Sequence, residues 1–125
     1  VDGQGKGDEA IDILNALVSL TPDDPLPNFY LGSIYQFTSS PSLSIPYYLL
    51  ALTADPAHTD TLNNLGKAYT DLGELSLGRS YYAAAVGSDS RHVQSRVNLG
   101  LSHHSAGEYA EACGVYAAAL GEGLE

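Results

Sequence analysis

Methionine and tryptophan are absent from the 125 residues, and cysteine occurs once. The lone thiol, Cys113, leaves no intrachain disulfide and no cysteine-based zinc site. It is compatible with a reducing compartment, and a cytoplasmic location is the expectation. Cations are scarce: five Lys and Arg stand against fifteen Asp and Glu, a net charge of −10. A surface of that sign repels phosphate backbones and anionic bilayers. Nucleic-acid and membrane partners are therefore not expected, whereas neutral or basic protein segments are. No window holds the ~18 uninterrupted apolar residues of a membrane span. No signal-peptide pattern opens the chain at Val1. With Met missing throughout, a piece of a longer protein is expected.

What remains is 44% hydrophobic and 16% charged, a balance that suits a folded domain. The sequence also repeats itself. Leu31-Gly32 returns as Leu65-Gly66 and, at the same spacing, as Leu99-Gly100. The period is about 34 residues, in the range of helical repeat arrays. Tyr35 and Tyr69 keep the same register, with His103 in the third copy. Tyr48, Tyr82 and Tyr116 form another column, and Ala51, Ala85 and Ala119 another. Pro22 and Pro56 form a pair in the same register.

Each copy reads as two amphipathic helices. Leu31, Ile34 and Tyr35 share one helical face, as do Leu65, Ala68 and Tyr69. Leu99, Ser102 and His103 make a less apolar third face. Gly32, Gly66 and Gly100 sit inside helices, where glycine costs ~1 kcal/mol relative to alanine. A costly residue that recurs requires a reason, and close approach of a second helix supplies one. Small Ala51, Ala85 and Ala119 would serve the facing helix, with the rings of Tyr48, Tyr82 and Tyr116 beside them.

Local chemistry sets boundaries. Thr59 or Asp60 is expected to cap a helix running to about Leu72, with Gly73 ending it in a left-handed turn. Ser76 is the expected cap of the next helix, which fades near Ser88. Pro56 should stop the helix before it and hold Asp55 extended. Pro41 and Pro46 point to a helix starting near Ser44 after an irregular link over 38–43. Residues 5–10 read as an inter-helix turn. Ser44 and Gly78, in a column with Ala10 and Ala112, predict looser packing. Ser90 and Leu124 stand where the terminal proline would be.

The Leu-Gly-x-x-Tyr run, the Tyr-x-x-Ala run, the turn glycines Gly73 and Gly107, and Pro22 and Pro56 together resemble the tetratricopeptide repeat family. The resemblance covers nearly the whole chain. It implies an all-α fold of about seven helices, a right-handed superhelical stack of antiparallel pairs. Repeats fall at 25–58, 59–92 and 93–125, with 1–24 as the second half of a further repeat. Both ends look cut, because stacked arrays usually close with a polar capping helix.

The resemblance also implies a concave groove lined by the first helix of each repeat. The faces left over there carry Phe29, Tyr30, Ser33 and Phe37, then Asn63, Asn64, Lys67 and Asp71, then Val97, Asn98, Leu101 and Ser105. An extended peptide could set apolar side chains against Phe29, Tyr30 and Phe37 and exchange backbone hydrogen bonds with Asn64 and Asn98. That asparagine pair resembles the ladder in the repeats of O-linked N-acetylglucosamine transferase, with Tyr30 breaking it at the third rung. Asparagine here also suits helix packing. A clamp for an acidic tail would need several cations, and this face offers Lys67, with Arg96 at its edge.

Catalysis is not expected within this chain. His103, His104 and Glu108 are close in sequence, but Gly107 should end the helix between His104 and Glu108. Cys113 lies among Ala112, Gly114 and Ala117 and reads as a buried, inert thiol. No cofactor is called for. The leading expectation is a protein-interaction scaffold. The alternatives are a structural subunit of a larger complex assembling, with other chains or with itself, through its exposed repeat ends, and the substrate-recognition arm of an enzyme such as that glycosyltransferase.

Overall fold

The computed structural model describes residues 2–105 together with 114, 115 and 118. Among them stand six helices and no strand: α1 (Asp2–Leu20), α2 (Leu26–Thr38), α3 (Pro41–Ala54), α4 (Thr59–Asp71), α5 (Leu75–Ser88) and α6 (Val93–Ser105). Gly107, Glu108, Cys113, Tyr116 and Ala119, expected in and before a seventh helix, lie outside the described residues.

Short turns fold α2 back on α3 and α4 back on α5, and each pair leans on the next. The repeating columns supply the contacts. Leu31, Tyr48, Ala51, Leu65, Ala68 and Ala85 are fully buried, and Tyr82 nearly so. Gly32 lies under the Tyr48 ring: a Cβ there would stand 2.6 Å from Cδ1. Gly66 repeats this under Tyr82 at 2.7 Å, with the Gly78 carbonyl oxygen 3.0 Å away. The recurring glycines therefore let one helix seat the next helix's aromatic ring. Gly100 is buried in the same register.

Packing at the Ser44 and Gly78 column is tight, contrary to the expectation. Ser44 is fully buried and donates to the Pro41 carbonyl at 2.6 Å. A Cβ on Gly78 would collide with Thr70 Oγ1 and stand 2.9 Å from the Gly66 carbonyl oxygen. With no methyl at Gly78, the two backbones close together instead of leaving a void.

Three helix starts differ from the sequence reading. α3 begins at Pro41, with no irregular link, because Ser40 caps Ser42 N–H at 3.3 Å and Pro41 supplies a preset φ in the first turn. Pro46 then sits inside the helix, where it removes one backbone hydrogen bond. α5 begins at Leu75 behind Glu74, without the Ser76 cap. α4 follows His58, and the Thr59 hydroxyl instead meets Ser88 Oγ at 2.6 Å. The turn expected at 5–10 is helical, since Gly5 and Gly7 lie within α1.

The helix ends follow expectation more closely. α4 gives way at Leu72, and Gly73 takes φ +86. Asp55 is extended at φ −142, ψ 95 after α3, and Asp89 matches it at φ −148, ψ 98 after α5. Their carboxylates accept from Ala57 N–H at 3.1 Å and Arg91 N–H at 3.0 Å. This aspartate turn explains why α5 stops without a proline.

Burial pushes the Tyr48 and Tyr82 phenols above their ordinary value of 10.0. Desolvation disfavours the phenolate in the folded chain, so the unfolded chain releases these protons first. Stability from this source is complete below pH ~10 and is lost as pH rises through the folded-state values. Urea midpoints should therefore hold steady to about pH 9.5 and fall beyond it. Tyr82→Phe keeps the ring on Gly66 and should make that fall shallower. An equally steep fall in Tyr82→Phe would remove Tyr82 as a cause.

Candidate protein-binding groove

Of the twelve side chains on the predicted face, all but Val97 and Ser105 are the expected groove contacts on α2, α4 and α6. The structure splits them into four environments.

Asn63 faces inward and is 2% exposed. Its Oδ1 accepts from Asn98 Nδ2 at 3.0 Å and from Ser95 Oγ at 3.3 Å. One buried amide thus joins α4 to α6, and part of the Asn98 amide is spent on it. Asn63→Ala should cost about 1–3 kcal/mol by stranding both partners, seen as a lowered denaturation midpoint. A midpoint equal to wild type would show that water replaces the amide without loss.

Phe29 is also committed to packing. Its ring lies 5.3 Å from His58, edge on, and 6.1 Å from Tyr48. Asn64 ties α4 to the α2–α3 pair through its backbone carbonyl, which accepts from Gln36 Nε2 at 3.1 Å; its side chain lies close enough to the Tyr48 hydroxyl to favour the phenolate.

Tyr30, Ser33 and Phe37 line a cleft between α1 and α2 with a cavity of about 510 Å³. Ala10, Ile13, Leu14 and Ile34 complete it, and its open lining is apolar. Tyr30 is 49% exposed and Phe37 63%.

Lys67, Asp71, Asn98 and Leu101 meet at a second, smaller cleft of about 140 Å³, with Leu75 and Tyr82 behind them. Its lining is mixed. Lys67 Nζ lies 3.4 Å from Asp71 Oδ2, an exposed pair one helical turn apart. Leu101 is 50% exposed at the rim. The cation is shared with a carboxylate, which weakens any grip on an acidic tail. Arg96 reaches instead to the Ala118 carbonyl at 3.3 Å.

Several organising residues were not singled out in the sequence. Gln36 Oε1 accepts from Tyr48 Oη at 2.5 Å while its amide donates to α4, so it ties three helices together. Thr70 holds the same column; its hydroxyl donates to the Gly66 carbonyl at 2.8 Å and lies near the Tyr82 phenol. His58 and His92 precede α4 and α6 and bond the Thr61 and Ser95 hydroxyls through Nδ1, each at 2.6 Å. His92 also accepts Ser95 N–H at 3.2 Å and reaches Asp60 Oδ1 at 3.0 Å, linking consecutive first helices. Tyr35 stacks on Tyr47 at 5.1 Å, and Tyr69 on Tyr81 at 5.5 Å. The two histidines, their hydroxyl partners and the tyrosine pairs recur one repeat later in the chain, a signal available in the sequence.

No group of three or more metal-binding side chains occurs among the described residues. No described helix is long and apolar enough to cross a membrane.

Comparison with known proteins agrees with this geometry. Residues 63–123 match the tetratricopeptide repeat family model. No curated protein matches in sequence. Among solved structures, MamA, a tetratricopeptide-repeat protein, superposes with a TM-score of 0.86 at 20% identity, over 98% of this chain and 71% of that one. MamA residues 41 to the end from Desulfovibrio magneticus RS-1 superpose at 0.82 and 18% identity, over 98% of this chain and 70% of that one. Residues 63–123 therefore carry the tetratricopeptide repeat, and the described chain shares the all-helical solenoid fold of these neighbours.

Proposed function

We propose that the chain is a non-catalytic scaffold that holds an extended protein segment against the first-helix face at the α4–α6 cleft. The observation that carries this reading is the convergence of Lys67, Asp71, Asn98 and Leu101 on one partly open cleft. It offers what an extended segment requires: an exposed apolar rim, one amide with remaining hydrogen-bond capacity, and charges that are not buried. The net charge of −10 favours neutral or basic segments through steering.

Selection of peptides from a random displayed library, followed by fluorescence titration of the winners, tests the reading. Leu101→Glu alters a half-exposed side chain and should leave the fold intact, yet weaken the selected peptides by about tenfold or more. Winners that bind Leu101→Glu as tightly as wild type would place recognition elsewhere.

A further inference from the structure

The α4–α6 cleft repeats a place that is filled one repeat earlier. Thr70, Tyr82 and Asn98 in its lining correspond to Gln36, Tyr48 and Asn64 between α2 and α4. At the earlier place the Gln36 side chain closes the gap. Its Oε1 accepts from the Tyr48 hydroxyl, and its Nε2 donates to the Asn64 backbone carbonyl at 3.1 Å. Gln36 is only 7% exposed, so this carboxamide is a plug built into the wall of the groove.

Threonine is too short to make the same bridge. The Thr70 hydroxyl turns back along its own helix and donates to the Gly66 carbonyl at 2.8 Å. A cavity of about 140 Å³ is left between α4 and α6, with Tyr82 and Asn98 in its lining. The frame around it is otherwise conserved between the two places. Tyr82 lies over Gly66 as Tyr48 lies over Gly32, and both rings are buried. Residues at the mouth differ, and Lys67 and Asp71 stand there as an exposed pair.

We propose that this cleft takes the primary carboxamide of a glutamine or asparagine side chain from the bound protein segment. The proposal rests on the reading of the previous section and names what its cleft recognises. The incoming amide stands in for that of Gln36: its oxygen accepts from the Tyr82 hydroxyl, and its N–H donates to the Asn98 backbone carbonyl. A carboxamide matches that donor and that acceptor together. A carboxylate has no N–H for the Asn98 carbonyl, and Asp71 at the mouth opposes its charge. An ammonium group has no acceptor for the Tyr82 hydroxyl and meets Lys67. An aliphatic side chain fills the volume but leaves both polar groups without the bonds that the earlier place makes.

Two variants of the chain test the fit without a partner. Thr70→Gln supplies the carboxamide from the helix itself and should melt about 2–5 °C above wild type. Thr70→Glu has the same length and nearly the same helix propensity, and should melt below wild type. Equal melting of the two variants, or Thr70→Gln melting below wild type, overturns the proposal. The library-selected peptides then test recognition by fluorescence titration. They should share a glutamine or asparagine, and replacing it by glutamate or leucine should weaken binding by about tenfold or more. Thr70→Gln should weaken the same peptides by a similar factor, because the cleft is already filled. Peptides that depend on Leu101 but share no such residue, or that keep their affinity after its replacement by glutamate, overturn this proposal and leave the previous reading standing. Peptides indifferent to both Leu101→Glu and Thr70→Gln sink the two together.

Discussion

Tyr48→Ala is expected to remove about 3–5 kcal/mol of stability, a large share of what a domain of this size holds. Tyr48 is fully buried against Gly32, and its hydroxyl donates to Gln36. Removing the ring opens a cavity at the centre of the α2–α3 pair and strands the Gln36 carbonyl oxygen. Gln36 also donates to the Asn64 carbonyl, so the loss spreads to α4. Urea titration followed by circular dichroism measures the effect. Tyr48→Phe separates its parts, since it keeps the ring and should cost only about 1 kcal/mol. A loss below about 1 kcal/mol for Tyr48→Ala would mean that the ring is not a keystone of the pair.

Gly66→Leu is the second large effect, at about 3 kcal/mol or more. Helix propensity alone favours the change by nearly 1 kcal/mol, so the sign is decided by space. The first added carbon would stand 2.7 Å from the Tyr82 ring and 3.0 Å from the Gly78 carbonyl oxygen. Neither can yield cheaply, because Tyr82 is buried and the carbonyl is backbone. Gly87→Leu is the control: it lies in α5, is exposed, and has nothing within 4 Å of an added Cβ. That variant should be neutral or stabilising by up to about 1 kcal/mol. If both variants shift the melting temperature alike, close helix approach is not why glycine recurs at 32, 66 and 100.

The sequence revealed the fold because its columns were dense. Leu31, Gly32, Tyr48 and Ala51 each return one repeat later, and every returning position within the described residues is buried or nearly so apart from half-buried Leu99. Boundaries were less legible where one residue type can do two jobs. Pro46 reads as a helix start from φ alone, yet the earlier Ser40–Pro41 cap set the start instead. Gly78 reads as lost volume, but backbones closed over it, which a single column cannot show.

The groove was legible as a face and not as a site. Helical spacing placed Tyr30, Phe37, Lys67 and Leu101 outward correctly, because exposure follows periodicity. It could not tell Asn63 from Asn64, since neighbours on one helix differ by about 100° and the choice of the inward amide rests on Ser95 and Asn98 across the gap. Nor could it foresee that α1 would leave a cleft, which depends on what faces α1 in space.

The most direct test of a first-helix binding surface is amide chemical-shift mapping with a library-selected peptide. Perturbations gathered around Lys67, Asp71, Asn98 and Leu101 are the expected result. Perturbations confined to the second helices, around the exposed Leu49, Leu50 and Leu77, would contradict it.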